Sequence, residues 1–218
     1  MLVLFDLDDT LLDHKSADRK AATCLYENIG SQKSLPEFLT AWDTAQERHY
    51  ARYSAGEISF QEQRRERLRE VIDPTLTDTA ADRIFAQFVA AYEANWLLFD
   101  DVLPCLNRLY THRIGIITNG DGKLQRRKMA NAGISDRFDC VVISSECGYS
   151  KPDEKIFQYA CELAGEKSES AIYIGDRYDL DAQAARQAGL RGIWLDRKSK
   201  SSQEHAPPII ASLDEFMP

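Results

Sequence analysis

Short runs of consecutive apolar residues are the strongest pattern in this chain of 218 residues. A run of four or five apolar residues is typical of a strand that is buried on both faces of a parallel sheet. From residue 100 onward, such runs alternate with stretches of helical length, which predicts βαβ units and a parallel sheet with helices on both faces. The predicted strands are residues 2–5, 113–117, 140–143, 171–174 and 192–195.

Residues 15–95 break this alternation, because their apolar positions recur at the three- and four-residue spacing of amphipathic helices. Phe85, Phe88 and Tyr92, for example, fall on one helical face. We therefore predict an α/β fold with a Rossmann-like, doubly wound parallel sheet, formed by residues 1–14 and 96–218. An all-helical cap domain at residues 15–95 is inserted into it.

Three local signals refine this prediction. Ser59 and Glu62 have the spacing of a capping box, in which each side chain accepts from a backbone N–H group of the other residue. Gly56 predicts a turn between two helices at residues 54–57. The polar segment 199–208 ends in proline and predicts an exposed loop.

Composition narrows the range of partners. The net charge of −8 gives no electrostatic basis for nonspecific binding to nucleic acid polymers. No segment is long and apolar enough to span a membrane, and the N-terminus lacks the features of a secretion signal. The five cysteines are scattered, which favours reduced thiols without a zinc site. We expect a cytoplasmic protein, either a monomer or a homodimer.

Two acidic residues, Asp6 and Asp8, follow the first predicted strand directly. Ligands of open parallel sheets bind outside the carboxyl ends of the strands. Two carboxylates crowded there repel one another by roughly 4 kcal/mol at about 4 Å and an effective dielectric constant near 20. A bound cation would relieve this repulsion, which predicts a ligand site. A solvated acidic turn that caps a helix is the alternative.

Two further motifs could bind an anion. Thr118, Asn119 and Gly120 follow the second predicted strand, where a hydroxyl, an amide and the N–H groups of a helix start would form an anion cradle. Lys151 precedes Pro152, whose stiff backbone would hold the ammonium group in place. Either motif alone is compatible with an ordinary turn or a solvated lysine.

A fourth motif, Gly175-Asp176 through Asp181, follows another predicted strand. Gly175 would allow a tight turn, and the two carboxylates could both face the cleft. Hard oxygen ligands of this kind suit Mg²⁺. Because each of the four motifs lies at the end of a different predicted strand, the fold would bring them together into one site.

The combination of motifs resembles the haloacid dehalogenase-like hydrolase superfamily, in its phosphatase branch with a small helical cap of the C1 type. The matching pattern runs, in the expected order, through Asp6-x-Asp8-x-Thr10, Thr118-Asn119, Lys151-Pro152 and Gly175-Asp176 through Asp181. Residues 114–120 and 142–146 more narrowly resemble the pyrimidine 5′-nucleotidases, and the N-acylneuraminate-9-phosphatases share much of the same pattern.

The resemblance implies a role for each matching carboxylate. Asp6 would be the nucleophile and would form an aspartyl-phosphate. Asp8 would protonate the leaving alcohol and then activate water. Mg²⁺ would be held by Asp6, the main-chain carbonyl of Asp8, and Asp176. Asp181 would support the metal site from outside the direct ligands or bind the metal through water.

The resemblance also implies that Thr118, Asn119 and Lys151 bind the phosphate of the substrate. The chain departs from the family pattern at two positions of the fourth motif: Arg177, where many relatives carry a small residue, and Leu180, where asparagine is common. Closure contacts of the cap are expected from helices near Trp42, His49, Tyr53 and Arg64. These four residues are equally compatible with a role in the core or on the surface of the cap.

The expected function is hydrolysis of a small phosphate ester, with a nucleoside monophosphate favoured and a sugar phosphate next. Asp8 favours phosphoryl transfer over dehalogenation, because a halide leaves without a proton. A phosphohexomutase of the same fold is the nearest alternative. A binding or regulatory protein that retains the fold without catalysis is the alternative from a different class.

Overall fold

The computed structural model describes residues 1–198 and 208–217, and its framework is one parallel sheet. The strand order is β3-β2-β1-β4-β5-β6, and every neighbouring pair is parallel. The strands are β1 (Leu2–Phe5), β2 (Arg113–Thr118), β3 (Cys140–Ile143), β4 (Ala171–Gly175), β5 (Arg191–Leu195) and β6 (Ile209–Ile210). The sequence predicts β1–β5 to within one residue at each end. It misses β6, because a two-residue strand carries no periodicity.

The helices alternate with the strands after residue 100, and a group of longer helices precedes β2. Their bounds are α1 (His14–Ile29), α2 (Leu35–Ser54), α3 (Phe60–Val71), α4 (Asp78–Glu93), α5 (Val102–Arg108), α6 (Gly122–Asn131), α7 (Ser144–Cys147), α8 (Glu154–Ala164) and α9 (Ala184–Gln187). A π-helical segment, Tyr178–Gln183, precedes α9 directly. Of the predicted loop at 199–208, residues 199–207 lie outside the described part of the chain.

The connections from β1 run in two directions along the sheet. The chain moves through β2 to β3 on one side and then returns to β4 and β5 on the other. With right-handed crossovers, such a reversal places the two sets of helices on opposite faces and opens a crevice between β1 and β4. The predicted doubly wound α/β fold is therefore confirmed.

One face of the sheet is covered by α8 and α9. Phe157 of α8 and Ala185 of α9 belong to the same buried cluster as Leu4 and Tyr173 of the sheet. The Phe157 and Tyr173 rings meet edge to face, with centroids 5.0 Å apart. Burial of about 150–250 Å² for each aromatic side chain makes such contacts a main source of stability.

The chain divides into two compact units, Met1–His14 with Leu97–Pro218, and Lys15–Trp96. The second unit is helical and includes Trp96, which the sequence-based prediction places at the start of the second α/β segment, residues 96–218. The reason is that the Trp96 ring packs edge-on against Tyr92, with the centroids 5.3 Å apart.

Aromatic residues form the interior of the helical unit. Trp42 is fully buried. Its ring centroid lies 4.7 Å from that of Phe88, and the guanidinium of Arg67 lies 4.8 Å above it. The Trp42 indole N–H donates to Asp18 at 3.2 Å. Trp42 is therefore a core residue of this unit. This agrees with the sequence interpretation in which Trp42 belongs to the core of the cap and does not serve as a closure contact.

The local signals of the helical unit are partly realised. The Ser59 hydroxyl accepts from the Glu62 N–H at 3.1 Å and caps α3. In the other half of a capping box, the Glu62 carboxylate would accept from the Ser59 N–H. In this structure the Glu62 carboxylate lies 3.5 Å from the Arg69 guanidinium instead. Gly56 has a φ of +75° in the turn between α2 and α3, as predicted. Within the described residues, no helix combines the length and the apolar character needed to cross a membrane.

Candidate active site

Three carboxylates meet at the carboxyl ends of the two central strands. Asp6 follows β1 directly, Asp176 follows β4 directly, and Asp181 lies in the π-helical segment. Each offers one carboxylate oxygen, and these three oxygens lie within 4.8 Å of one another. The structure thus brings together three residues that the sequence predicts for the metal site.

Close packing between the β4 terminus and Asp181 requires a glycine. A Cβ atom at Gly175 would overlap the carboxylate and the Cβ of Asp181, which is fully buried. Gly175 therefore serves close approach of a side chain, in addition to the tight turn that the sequence suggests.

Lys151 supplies the positive charge at the centre of this cluster. Its buried ammonium group donates to Asp6 Oδ1 at 2.6 Å, to Asp181 Oδ1 at 2.6 Å and to the Tyr173 hydroxyl at 2.9 Å. An ammonium group has three N–H donors, so these three acceptors use all of them. Lys151 can bind a phosphoryl oxygen only by exchanging one of these partners.

Tyr173 is a member of the cluster that sequence reasoning missed. Its side chain is fully buried, and its hydroxyl oxygen lies 3.0 Å from both Asp181 Oδ1 and the Ile117 carbonyl. The single hydroxyl proton can be donated to one of these oxygens at a time. Because Tyr173 stands inside an apolar run, the sequence pattern indicates only core packing.

The charges of the cluster do not balance. Burial raises the pKa of Asp6, Lys151 lowers it, and Asp181 and Asp176 raise it, so the net pKa lies well above the usual range. Burial lowers the pKa of Lys151, but the neighbouring carboxylates of Asp181 and Asp6 raise it above its usual value. When ionised, three clustered carboxylates beside one ammonium group carry a net negative charge, which a further cation would compensate.

The loop after β1 is tied to β4 and β5 through Thr10. The Thr10 hydroxyl lies 3.3 Å from Asp6 Oδ2 and accepts from the Asp176 N–H at 3.0 Å. Arg197 donates to the Thr10 carbonyl at 2.8 Å. Asp9, in the same loop, has a φ of 60°. These contacts fix the loop that carries Asp6 and Asp8.

Asn119 is bonded to the backbone of Lys151. Its amide group donates to the Lys151 carbonyl at 3.0 Å, and its side-chain oxygen accepts from the Lys151 N–H at 2.9 Å. In this structure Asn119 therefore positions the lysine, and direct contact between Asn119 and a phosphate stays a prediction. Thr118 is buried, and its hydroxyl accepts from Gln125 at 2.7 Å.

Two backbone N–H groups at the helix start after β2, where the sequence suggests an anion cradle, already have protein partners. The N–H groups of Gly120 and Gly122 donate to the hydroxyls of Ser144 and Ser145, each at 2.9 Å. The Asp121 carboxylate caps α6 by accepting from a backbone N–H group. Protein groups therefore already satisfy these two donors, and binding of phosphate by Thr118 and Asn119 at this strand end stays a prediction.

Asp8 lies in different surroundings from Asp6. Both of its carboxylate oxygens lie 2.7 Å from Lys128 Nζ, and Oδ2 also accepts from Gln125 at 3.0 Å. Burial raises the pKa of Asp8, but Lys128, His14 and the hydrogen bonds from Lys128 and Gln125 lower it more, to about 2. The sequence identifies Asp8 but not the two residues that bind it.

Arg177 is the clearest departure of the fourth motif from the family pattern. Its side chain is exposed, and its backbone N–H donates to Asp181 Oδ2 at 2.9 Å. Because the hydrogen bond comes from the backbone, the position of Asp181 does not depend on the side chain at residue 177.

Comparison with known proteins gives the family. The family model described as haloacid dehalogenase-like hydrolase matches residues 1–189. The chain belongs to this family of hydrolases. The resemblance inferred from the four motifs is therefore confirmed.

Curated relatives of the chain include phosphatases and a nucleotidase. Pyrimidine 5′-nucleotidase YjjG of Escherichia coli is 40% identical over 107 residues, which are 48% of this chain and 48% of that protein. Phosphoserine phosphatase of Thermus thermophilus is 38% identical over 95 residues, which are 44% of this chain and 38% of that protein. The chain thus matches less than half the length of these two relatives.

Among solved structures, the HAD hydrolase YfnB of Bacillus subtilis, bound to magnesium, superposes with a TM-score of 0.79. Sequence identity is 22%, and the match covers 98% of this chain and 95% of that one. At this identity the similarity supports the fold.

Proposed function

We propose that this protein is a magnesium-dependent phosphomonoester hydrolase that acts through an aspartyl-phosphate on Asp6. The observation that carries the proposal is the placement of two carboxylates in separate surroundings, two residues apart. Asp6 is fixed by Lys151 at the crevice between β1 and β4, and Asp8 is held independently by Lys128. One carboxylate can thus attack phosphorus while the other transfers protons.

The donor set suits a hard divalent cation. Asp6 and Asp176 would hold Mg²⁺ together with the main-chain carbonyl of Asp8, whereas both oxygens of Asp181 are engaged by Lys151, Tyr173 and a backbone N–H. When bound, the cation would offset the repulsion between an attacking carboxylate and a phosphate dianion. The excess of carboxylates over ammonium groups around Asp6 supports this assignment.

The chain's own residues supply the covalent steps. A carboxylate oxygen of Asp6 attacks phosphorus, the ester P–O bond breaks, and the leaving alcohol takes a proton from Asp8. In the second step Asp8 removes a proton from a water molecule, which attacks phosphorus and releases Asp6 and inorganic phosphate. Lys151 orients Asp6 throughout and reduces the charge repulsion.

The proposed substrate is a small phosphorylated metabolite. A nucleoside monophosphate is favoured, because the relatives include a pyrimidine 5′-nucleotidase that is 40% identical over 107 residues. A sugar phosphate is the second candidate. Asp8 further supports a phosphate ester, because an alkoxide needs a proton in order to leave.

A time course with a panel of nucleoside monophosphates and sugar phosphates tests the proposal. We expect Mg²⁺-dependent, stoichiometric release of inorganic phosphate, with kcat/KM ranking the substrates. Isomerisation of a sugar phosphate without net release of phosphate would instead indicate the mutase. Tight binding of a phosphate ester without turnover would indicate a binding protein.

A further inference from the structure

Two polar residues lie on the buried side of α6. Gln125 and Lys128 are three positions apart, so they occupy the same helical face, and both side chains are almost fully buried. Burial of an amide or an ammonium group is costly unless each is hydrogen-bonded or paired. Their partners therefore indicate why these residue types occur where an amphipathic helix would otherwise place apolar ones.

Both residues converge on Asp8. Lys128 Nζ lies 2.7 Å from each of the two Asp8 carboxylate oxygens. Gln125 Nε2 lies 3.0 Å from Asp8 Oδ2 and 2.7 Å from the Thr118 hydroxyl. The loop after β1 and the end of β2 are thereby joined through one amide group. The Asp8 carboxylate is held at both oxygens by two side chains from a single rigid helix.

We propose that Lys128 and Gln125 are positioning residues that fix the Asp8 carboxyl group for proton transfer to the leaving oxygen. This inference rests on the proposed phosphatase function. Proton transfer by a side chain contributes about 10²–10⁴-fold to rate and requires hydrogen-bond distance to the reacting oxygen. A carboxyl group with one orientation satisfies that requirement more often than one that rotates freely.

Lys128 and Gln125 favour the ionised form of Asp8, and they also retain a contact with the carboxyl group when it is protonated. When one carboxyl oxygen carries the proton, the other oxygen still accepts from Lys128. Direct binding of substrate phosphate by Lys128 is the rival interpretation. Its side chain is only 3% exposed, and its ammonium group spans both Asp8 oxygens, which favours the positioning role.

Two aryl phosphates of similar shape separate these interpretations. Phenyl phosphate has a basic leaving group that needs a proton, whereas p-nitrophenyl phosphate has a much weaker one that needs little assistance. The ratio of kcat/KM values for the two substrates reports the step in which the leaving group departs. A defect in proton donation changes this ratio, and a defect in phosphate binding or in folding does not.

The test compares Lys128→Met, which keeps the length of the side chain, with Lys123→Met on the exposed side of α6. In Lys128→Met we expect kcat/KM for phenyl phosphate to fall about tenfold further than kcat/KM for p-nitrophenyl phosphate, a part of the general-acid contribution. Lys123→Met should leave both values unchanged. Lys128→Arg, which retains charge and N–H donors, should restore part of the ratio.

Two further variants keep the proposal testable if Lys128→Met folds poorly. Gln125→Met should shift the ratio in the same direction by a smaller factor. Asp8→Asn should shift the ratio of kcat/KM values by the whole contribution of the general acid. Adding Lys128→Met to Asp8→Asn should change the ratio little further, because both substitutions act through the Asp8 carboxyl group.

Equal losses for the two substrates in a folded Lys128→Met protein, or additive losses in the double variant, would refute the positioning role alone. No hydrolysis of either substrate by the native protein would refute the proposed function, and the inference with it.

Discussion

The buried hydroxyl group of Tyr173 accepts a hydrogen bond of 2.9 Å from the ammonium group of Lys151. This contact ties the orientation of the lysine to a residue on β4. Since Lys151 also donates to Asp6 at 2.6 Å, Tyr173 contacts the proposed nucleophile through a single intermediate group.

Tyr173→Phe tests this relationship. We expect a loss of about 1–3 kcal/mol in the free energy of unfolding, because a buried donor and acceptor lose their partner. We also expect kcat/KM to fall about tenfold, the factor that corresponds to about 1.4 kcal/mol of lost alignment. Urea denaturation and steady-state kinetics give the two values.

Tyr159→Phe, at an exposed position on α8, is the matched control and should change neither value. Unchanged kinetics in Tyr173→Phe would show that Lys151 needs no support from this hydroxyl group.

The raised pKa of Asp6 predicts how the stability of the protein depends on pH and on Mg²⁺. Between its ordinary pKa of 3.8 and its raised value, folded Asp6 binds more protons than unfolded Asp6 does. The stability of the metal-free protein should therefore fall as pH rises through this interval. Mg²⁺ binds the ionised form, so the Tm increase that it causes should be larger at pH 8 than at pH 5.

Thermal unfolding with EDTA or Mg²⁺ measures this difference. At a Mg²⁺ concentration of about 100 times Kd, the expected gain is about 2.7 kcal/mol. Asp176→Asn, which removes one proposed ligand, should abolish most of the gain. The assignment of the metal site fails if Asp176→Asn keeps the full gain, or if the gain is independent of pH.

A third prediction concerns Gly175, where a Cβ atom would overlap Asp181. Gly175→Ala should cost about 1–3 kcal/mol by overpacking and should displace the Asp181 carboxylate. Because Asp181 holds Lys151, kcat should also fall in the protein that remains folded.

Gly115→Ala is the matched control, since its Cβ atom would overlap Cys140 and Leu4 within the sheet. It should lose a similar amount of stability while the folded fraction keeps its kcat. An equal loss of kcat in both variants would mean that crowding acts on the fold in general.

The sequence predicts the fold well because each central strand is a continuous apolar run. Buried on both faces, strands such as β1 and β4 leave an unambiguous pattern, and the acidic residues that follow them mark the ends of those strands. Because these motifs follow parallel strands of one sheet, Asp6, Asp176 and Asp181 meet at the carboxyl edge of that sheet.

The polar supports of the site are less visible in the sequence. Tyr173 occurs within an apolar run, and its hydrogen bonds depend on how β4 lies relative to Lys151. Gln125 and Lys128 read as surface residues of a polar helix, although their phase matches that of buried Met129. Only the position of Asp8 shows that this face is buried against a carboxylate.

The partners of the N–H groups at the start of α6 are not visible in the sequence for a related reason. The sequence shows Asn119-Gly120 at the end of a strand but not which groups take up the free N–H donors. Ser144 and Ser145, at the start of α7, supply those acceptors from the neighbouring strand connection. Long-range hydrogen bonds of this kind have no local sequence signature.

Hydrolysis of p-nitrophenyl phosphate by the native protein and by Asp6→Asn is the most direct test of Asp6 as the nucleophile of a phosphatase. Asp6→Asn removes the attacking carboxylate with little change in shape. We predict Mg²⁺-dependent release of p-nitrophenol by the native protein and its loss in Asp6→Asn, with the fold of the variant intact by circular dichroism. Full activity in Asp6→Asn, or none in the native protein, would contradict it.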